Sequence, residues 1–229
     1  MATVVNIVLT REEGRNESLL EWLPPEAAVA EVPLTTTVYF DIDDVRTQLE
    51  ASSAYGTFHS LVITSVRSVD YAGCALAASA LEVDVFCVGP TTASALVSRG
   101  YTVRALGEGS AVSLAPQIVR GPVLMLGATV MREELASALR AKDLEVVAVA
   151  CYETVPLTLE VSDVEALSRA DVVLIGAPSA WAVARPHVRR DTWVVVPGPS
   201  TAEAVRVEHA RVIEGWGPEL RARLESLAS

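Results

Sequence analysis

The sequence predicts an α/β protein built as two doubly wound, parallel-sheet domains, and three observations carry that reading. Short β-rich runs alternate with helical patterns along the chain, which is how parallel α/β layers are written in sequence. One strand-to-helix motif occurs twice, as Gly89-Pro90-Thr91-Thr92-Ala93-Ser94-Ala95-Leu96 and as Gly198-Pro199-Ser200-Thr201-Ala202-Glu203-Ala204-Val205. Two extended, β-branched segments, 33–39 and 151–156, bracket a stretch that makes a complete doubly wound domain by itself.

Taken in order, residues 4–9 form a first strand, and 16–23 a short amphipathic helix ended by Pro24-Pro25. Residues 29–32 return as a strand, and 33–39 is a connector with strand character. Five strands follow at 61–64, 83–88, 103–106, 123–126 and 145–150, with helices from about Asp43, Ser68, Thr91, Ser110 and Met131. The remainder supplies strands at 171–175, 192–196 and 211–213, with helices near Val164, Ser179, Thr201 and Pro218. Three strands alone make a thin sheet, but with the two N-terminal strands they give five, matching the inserted domain. The expected architecture is therefore a discontinuous domain of residues 1–34 and 155–229 carrying an inserted domain of residues 38–151. Both are of the flavodoxin-like kind, and two antiparallel linker strands join them as a hinge with a cleft between the lobes.

Composition bounds the partners. With 51% hydrophobic and 21% charged residues the chain can bury a substantial core. A formal charge of -11 and the lack of any Lys/Arg cluster argue against a nucleic-acid surface. An anionic small ligand stays compatible, because local donors in a cleft outweigh a screened net charge. Cys74, Cys87 and Cys151 are odd in number without CxxC spacing, and His59, His187 and His209 form no ligand pattern, so neither structural disulfides nor a metal is expected. The first residues lack a basic n-region and meet Arg11-Glu12-Glu13 at once, and no apolar run reaches membrane-spanning length. A reduced, cytoplasmic monomer is the expectation.

The repeated motif aims free backbone N–H groups and hydroxyls at one point, which suits an anion. The plain alternative is a pair of well-capped helices, since Ser and Thr are common N-cap residues and Pro suits the first turn.

Taken together, Leu9-Thr10-Arg11, Val32-Pro33-Leu34, Ile63-Thr64-Ser65-Val66-Arg67-Ser68-Val69, Val88-Gly89-Pro90-Thr91-Thr92-Ala93, Leu126-Gly127 with Arg132-Glu133, Tyr152-Glu153-Thr154, Ala177-Pro178-Ser179-Ala180 and Gly198-Pro199-Ser200-Thr201-Ala202 occur in an order that resembles the uroporphyrinogen-III synthase family. The resemblance implies a cofactor-free enzyme of tetrapyrrole (heme) synthesis. Such an enzyme takes linear hydroxymethylbilane, removes its hydroxyl as water, and closes the macrocycle with ring D inverted through a spirocyclic intermediate. Every pyrrole of that substrate carries an acetate and a propionate, so helix N-termini and hydroxyls fit it.

Carried over residue by residue, Tyr152 matches the family's linker tyrosine, expected to assist loss of the hydroxyl by hydrogen bonding. Its plain alternative is a linker aromatic packed on Pro33 or Pro156. Thr92 and Thr201 match paired threonines at two helix starts, with Gly89, Thr91, Gly198 and Ser200 beside them. Thr64, Ser65 and Ser179 match turn residues facing the cleft, where simple capping is the alternative, and Gly127 of the matched Leu126-Gly127 is a further substrate-binding candidate. Arg11 is the candidate partner for a substrate carboxylate, although Glu12 and Glu13 equally suit a solvated charged turn, and Arg67 and Arg132 share that ambiguity. Many members place a hydroxyl residue where this chain has Gly176-Ala177, so one donor is missing there.

A non-catalytic two-lobed module binding an anionic ligand is the alternative. A dinucleotide oxidoreductase does not fit, because Gly107-Glu108-Gly109 lacks both the third glycine and the preceding core strand.

Overall fold

The computed structural model describes residues 4–79, 82–107 and 111–227. Contacts divide the chain into two compact units, one made of residues up to Thr37 and from Thr154 onward, the other of Val38–Glu153. In chain order the first unit opens with β1 (Asn6–Leu9), α1 (Glu17–Leu20) and β2 (Ala28–Glu31). Then β3 (Thr35–Tyr39) leads into α2 (Ile42–Glu50), β4 (Ser60–Ile63) and a 3-10 turn (Val66–Tyr71) that continues as α3 (Ala72–Ala77). Next come β5 (Asp84–Val88), α4 (Pro90–Ser98), β6 (Val103–Gly107) and a second 3-10 turn (Ala111–Leu114). The second unit ends with β7 (Val123–Ala128), α5 (Glu133–Arg140) and β8 (Val146–Pro156). The chain returns through α6 (Val161–Arg169), β9 (Val172–Leu174), α7 (Pro178–Ala184), β10 (Trp193–Val196), α8 (Pro199–Arg206), β11 (Val212–Glu214) and α9 (Leu220–Leu227).

Each strand sits within two residues of its expected start, because a parallel strand is covered on both faces and reads as an unbroken apolar run. In the first unit Ile7, Leu9, Val172, Leu174 and Val195 pack against Leu19, Leu220 and Leu224 on one face. On the other face Val8, Val173, Val194 and Val196 pack against Ala180, Trp181 and Val205. The second unit repeats the scheme, with Leu61, Ile63, Leu124 and Leu126 on one face and Val62, Phe86, Val123 and Met125 on the other. Each such side chain contributes about 1.5–3 kcal/mol when fully buried.

The helix expected over 16–23 is shorter, only Glu17–Leu20. Asn16 does not cap it, because its Nδ2 donates to Glu31 Oε2 at 2.8 Å instead. The helix expected from Ser110 has its start outside the described residues.

The first sheet runs β11-β10-β9-β1-β2, all parallel. Counted along the unit, that order is 2-1-3-4-5, the flavodoxin-like doubly wound pattern. The second sheet runs β3-β8-β7-β4-β5-β6, with β4 to β8 parallel. If β7 and β8 are given the places of β1 and β2, the spatial order is again 2-1-3-4-5, but the chain enters at the third strand. The two units are therefore circular permutants of one topology. The motif copies at Gly89 and Gly198 follow β5 and β10, the same fourth strand of that pattern, which accounts for the repeat.

One expectation is corrected at the linkers. Residues 151–156 are not a separate connector but the second half of β8, an 11-residue strand. Its Val, Thr and Tyr content favours extended backbone throughout. Phe40 N–H donates to Cys151 O at 3.0 Å and Leu157 N–H to Leu34 O at 2.9 Å, so β3 and β8 run antiparallel. The second sheet thereby gains β3 as a sixth, edge strand.

Candidate active site

Open doubly wound sheets bind ligands beyond the C-terminal ends of their strands, where neighbouring strands send their connections to opposite faces. That switch point lies between β4 and β7 in the second unit and between β1 and β9 in the first. A threonine bridges each of them. Thr64 Oγ1 donates to Leu126 O at 3.0 Å across β4 and β7, and Thr10 Oγ1 donates to Leu174 O at 2.6 Å across β1 and β9.

Beside the second unit's switch point is a cavity of about 390 Å³ whose wall includes Thr64, Val88, Met131, Arg132, Glu134 and Tyr152. A β-bulge brings Tyr152 there. β7 and β8 pair Gly127 with Ala150 and then Ala128 with Tyr152, leaving Cys151 as the extra residue. Strict alternation would send Cys151 and Tyr152 to opposite faces, yet both belong to the same buried cluster. The bulge re-aims the tyrosine, as bulges beside functional sites commonly do.

Tyr152 is 6% exposed. Its ring lies 6.3 Å from that of Tyr39, tilted by 48°, and the Arg67 guanidinium stands 5.8 Å over it. Tyr39 and Arg67 are thus its aromatic and cationic neighbours. Burial pushes the neighbouring Cys151 thiol up to about 12, with the Ser68 hydroxyl and the Gly127 amide pulling weakly the other way. It is protonated at neutral pH and no nucleophile.

Gly127 is held to glycine by space. A Cβ there would stand 2.5 Å from Thr64 Oγ1 and 2.6 Å from Met131 Sδ, both in the cavity wall. Gly127→Ala is expected to cost about 1–3 kcal/mol by overpacking and to raise KM as Thr64 and Met131 move. Urea unfolding alongside steady-state kinetics measures both effects.

The repeated motif is corrected in one respect: its hydroxyl residues are not N-caps. Gly89 and Gly198 hold that position, with Pro90 and Pro199 first in α4 and α8. Gly89 needs to be glycine, since its φ is +83°, whereas Gly198 is fully extended. Thr91 and Ser200 come second and are exposed. Thr92 and Thr201 come third, each 4% exposed. Neither of their hydroxyls bonds to another described residue, although both sit beside free helix-start N–H groups. Ser65, by contrast, is a cap, its Oγ accepting from Arg67 N–H at 3.3 Å.

In the first unit the Arg11 guanidinium lies 5.7 Å over the Trp216 ring. Glu12 pairs with Arg15 at 3.2 Å and accepts from Thr37 N–H at 2.7 Å. Ser179 is exposed at the second position of α7, after Ala177 and Pro178.

The family model for uroporphyrinogen-III synthase HemD matches residues 26–214, most of the chain and both units. The chain belongs to the uroporphyrinogen-III synthase family. A mutant uroporphyrinogen III synthase of the extreme thermophile Thermus thermophilus is similar in fold, with a TM-score of 0.67 at 18% identity over 98% of this chain and 97% of that one. Uroporphyrinogen-III synthetase of Helicobacter pylori gives 0.66 at 17% identity over 99% and 100%. No curated protein sequence matches.

Of the residues carried over from the uroporphyrinogen-III synthase pattern, Thr64 and Tyr152 share the second unit's cavity wall. Gly127 lies directly under Thr64, and Gly89, Thr91 and Thr92 follow Val88 of the same wall. Arg11, Ser179, Gly198, Ser200 and Thr201 belong to the first unit. Sequence reasoning gave no role to Thr10, Tyr39 or Trp216. Only Trp216 carried a local signal, the Gly215-Trp216-Gly217 turn just past a strand.

Proposed function

We propose that the chain converts hydroxymethylbilane to uroporphyrinogen III, expelling water and closing the ring with ring D inverted, without metal or organic cofactor. The observation that carries this reading is the family match over residues 26–214. In this reading Tyr152 hydrogen-bonds the departing hydroxyl, which leaves with a proton as water. Supporting that role are the tyrosine's burial in a cavity wall beside Thr64 and the exposed Arg132. Carboxylates of the substrate are taken by the helix starts at Thr92 and Thr201, by Thr64, Ser65 and Ser179, and by Arg11. Buried hydroxyls without an internal partner are a reason for a polar ligand to bind at α4 and α8. One helix end contributes only about 0.3–1 kcal/mol, so many such contacts are needed.

Catalysis here rests on positioning, because the substrate loses its hydroxyl and cyclises unaided to the uninverted isomer. Holding ring D for attack through its substituted carbon is what the protein adds. The reading keeps the protein a monomer in a reducing, cytoplasmic compartment, in keeping with three free cysteines. Incubation with hydroxymethylbilane, followed by resolution of the product isomers, is the test. We expect the inverted isomer in large excess, at a rate unchanged by exhaustive EDTA; only the uninverted isomer, or loss of turnover restored by a divalent metal, would overturn it.

A further inference from the structure

Trp216 follows β11 at one side of the first sheet, yet its side chain reaches the turn after β9 and the arginine after β1. A Cβ built on Gly176 would lie 3.4 Å from Trp216 Cη2 and 3.7 Å from Arg11 Cγ. The indole therefore lies across the C-terminal end of the sheet, over the switch point between β1 and β9. Its Nε1 is buried and has no hydrogen-bond partner. An indole N–H is a donor only, and shielding it from water without an acceptor is costly. Trp181 Nε1 is orphaned too, but that ring is 5% exposed within the core of α7, packed edge-on against His209. Trp216 as a whole is only partly buried.

We propose that Trp216 and Arg11 form a carboxylate-binding subsite of the first unit, the indole N–H and the guanidinium sharing one carboxylate. This deepens the synthase reading and rests on it, because the ligand is then a side-chain carboxylate of the tetrapyrrole. Three observations converge. The guanidinium lies 5.7 Å over the ring face, the orientation in which an aromatic holds a cation in place. The orphaned donor belongs to the same indole, whose Cη2 would lie 3.4 Å from a Cβ at Gly176. The segment Gly176-Ala177 offers no side-chain donor of its own, and a Cβ at 176 would meet the indole at ordinary van der Waals distance. Trp216 supplies an unpartnered donor at the same end of the sheet.

The experiment uses the full chain with 15N in its tryptophan indoles. Four signals are expected for four tryptophans, and the Trp216 signal is the one lost in Trp216→Phe. Titration with uroporphyrinogen III is expected to move that signal downfield, as an N–H does on meeting a carboxylate, and to move the other three less. Trp216→Phe keeps a ring for Arg11 but cannot donate. It is expected to raise KM for hydroxymethylbilane about tenfold, with kcat and melting temperature near wild type. A purely structural role would lower the melting temperature and leave the wild-type indole signal still during titration. An enzyme that makes and binds uroporphyrinogen III while the Trp216 signal stays fixed would overturn the subsite and leave the synthase reading intact. If the wild-type chain neither turns over substrate nor binds product, both fall together. If Trp216→Phe does not fold, assignment passes to Trp216→Tyr, and the wild-type titration decides.

Discussion

Tyr152→Phe will slow turnover and raise the share of the uninverted isomer in the product. Phe keeps the ring that packs 6.3 Å from Tyr39 and under Arg67, so the fold and the bulge should survive. What is lost is the hydroxyl of the cavity wall, a donor suited to hydrogen-bond a departing hydroxyl. A single positioned donor contributes about 10²–10⁴-fold, and a loss within that range lets spontaneous closure compete. Isomer-resolved chromatography of single-turnover reactions measures rate and ratio together. An unchanged rate and ratio in a folded variant would return Tyr152 to a packing role.

The second large effect is expected from Thr92→Val combined with Thr201→Val. Neither residue caps its helix, the glycines before the prolines doing that instead. The usual cap penalty of about 0.5–2 kcal/mol therefore does not apply, and valine fills the same volume at a buried site. Stability should change little while affinity for uroporphyrinogen III falls. Hydrogen bonds to charged groups are worth about 1.5–3 kcal/mol each, so a loss of 10²-fold or more across the pair is expected by titration calorimetry. Equal affinity in the folded double variant would show that these hydroxyls face no carboxylate.

The strands were legible because burial on both faces leaves continuous apolar runs such as Val123–Ala128. Pairing order was not, because hydrophobic pattern carries no record of which strand lies beside which; the permutation of the second unit came only with the register. β8 was read as two pieces since its first half is apolar and its second polar, although β-branched residues keep both extended. The bulge at Cys151 leaves no trace in sequence, yet it decides where Tyr152 points. The motif threonines lie on the expected turn, and only their plain alternative as N-caps fails, because Gly-Pro at a helix start puts the glycine at the cap. Trp216 escaped notice because Arg11 and Gly176, which give it meaning, come from other strand ends.

The antiparallel pairing of β3 with β8 also bears on the order of folding. Before the first unit can complete its sheet, β1 and β2 must meet β9, and the whole stretch Val38–Glu153 stands between them. Closing a flexible loop of that length costs about 4 kcal/mol in chain entropy. Once the inserted unit is folded, its own hydrogen bond from Phe40 to Cys151 holds the two exits side by side. To the outer unit a long insertion then behaves as a short hairpin, and Leu34 meets Leu157 with little further loss of freedom. The inserted unit thus acts as the scaffold on which the discontinuous one assembles, and damage to β3, which spans the boundary between them, is felt in both.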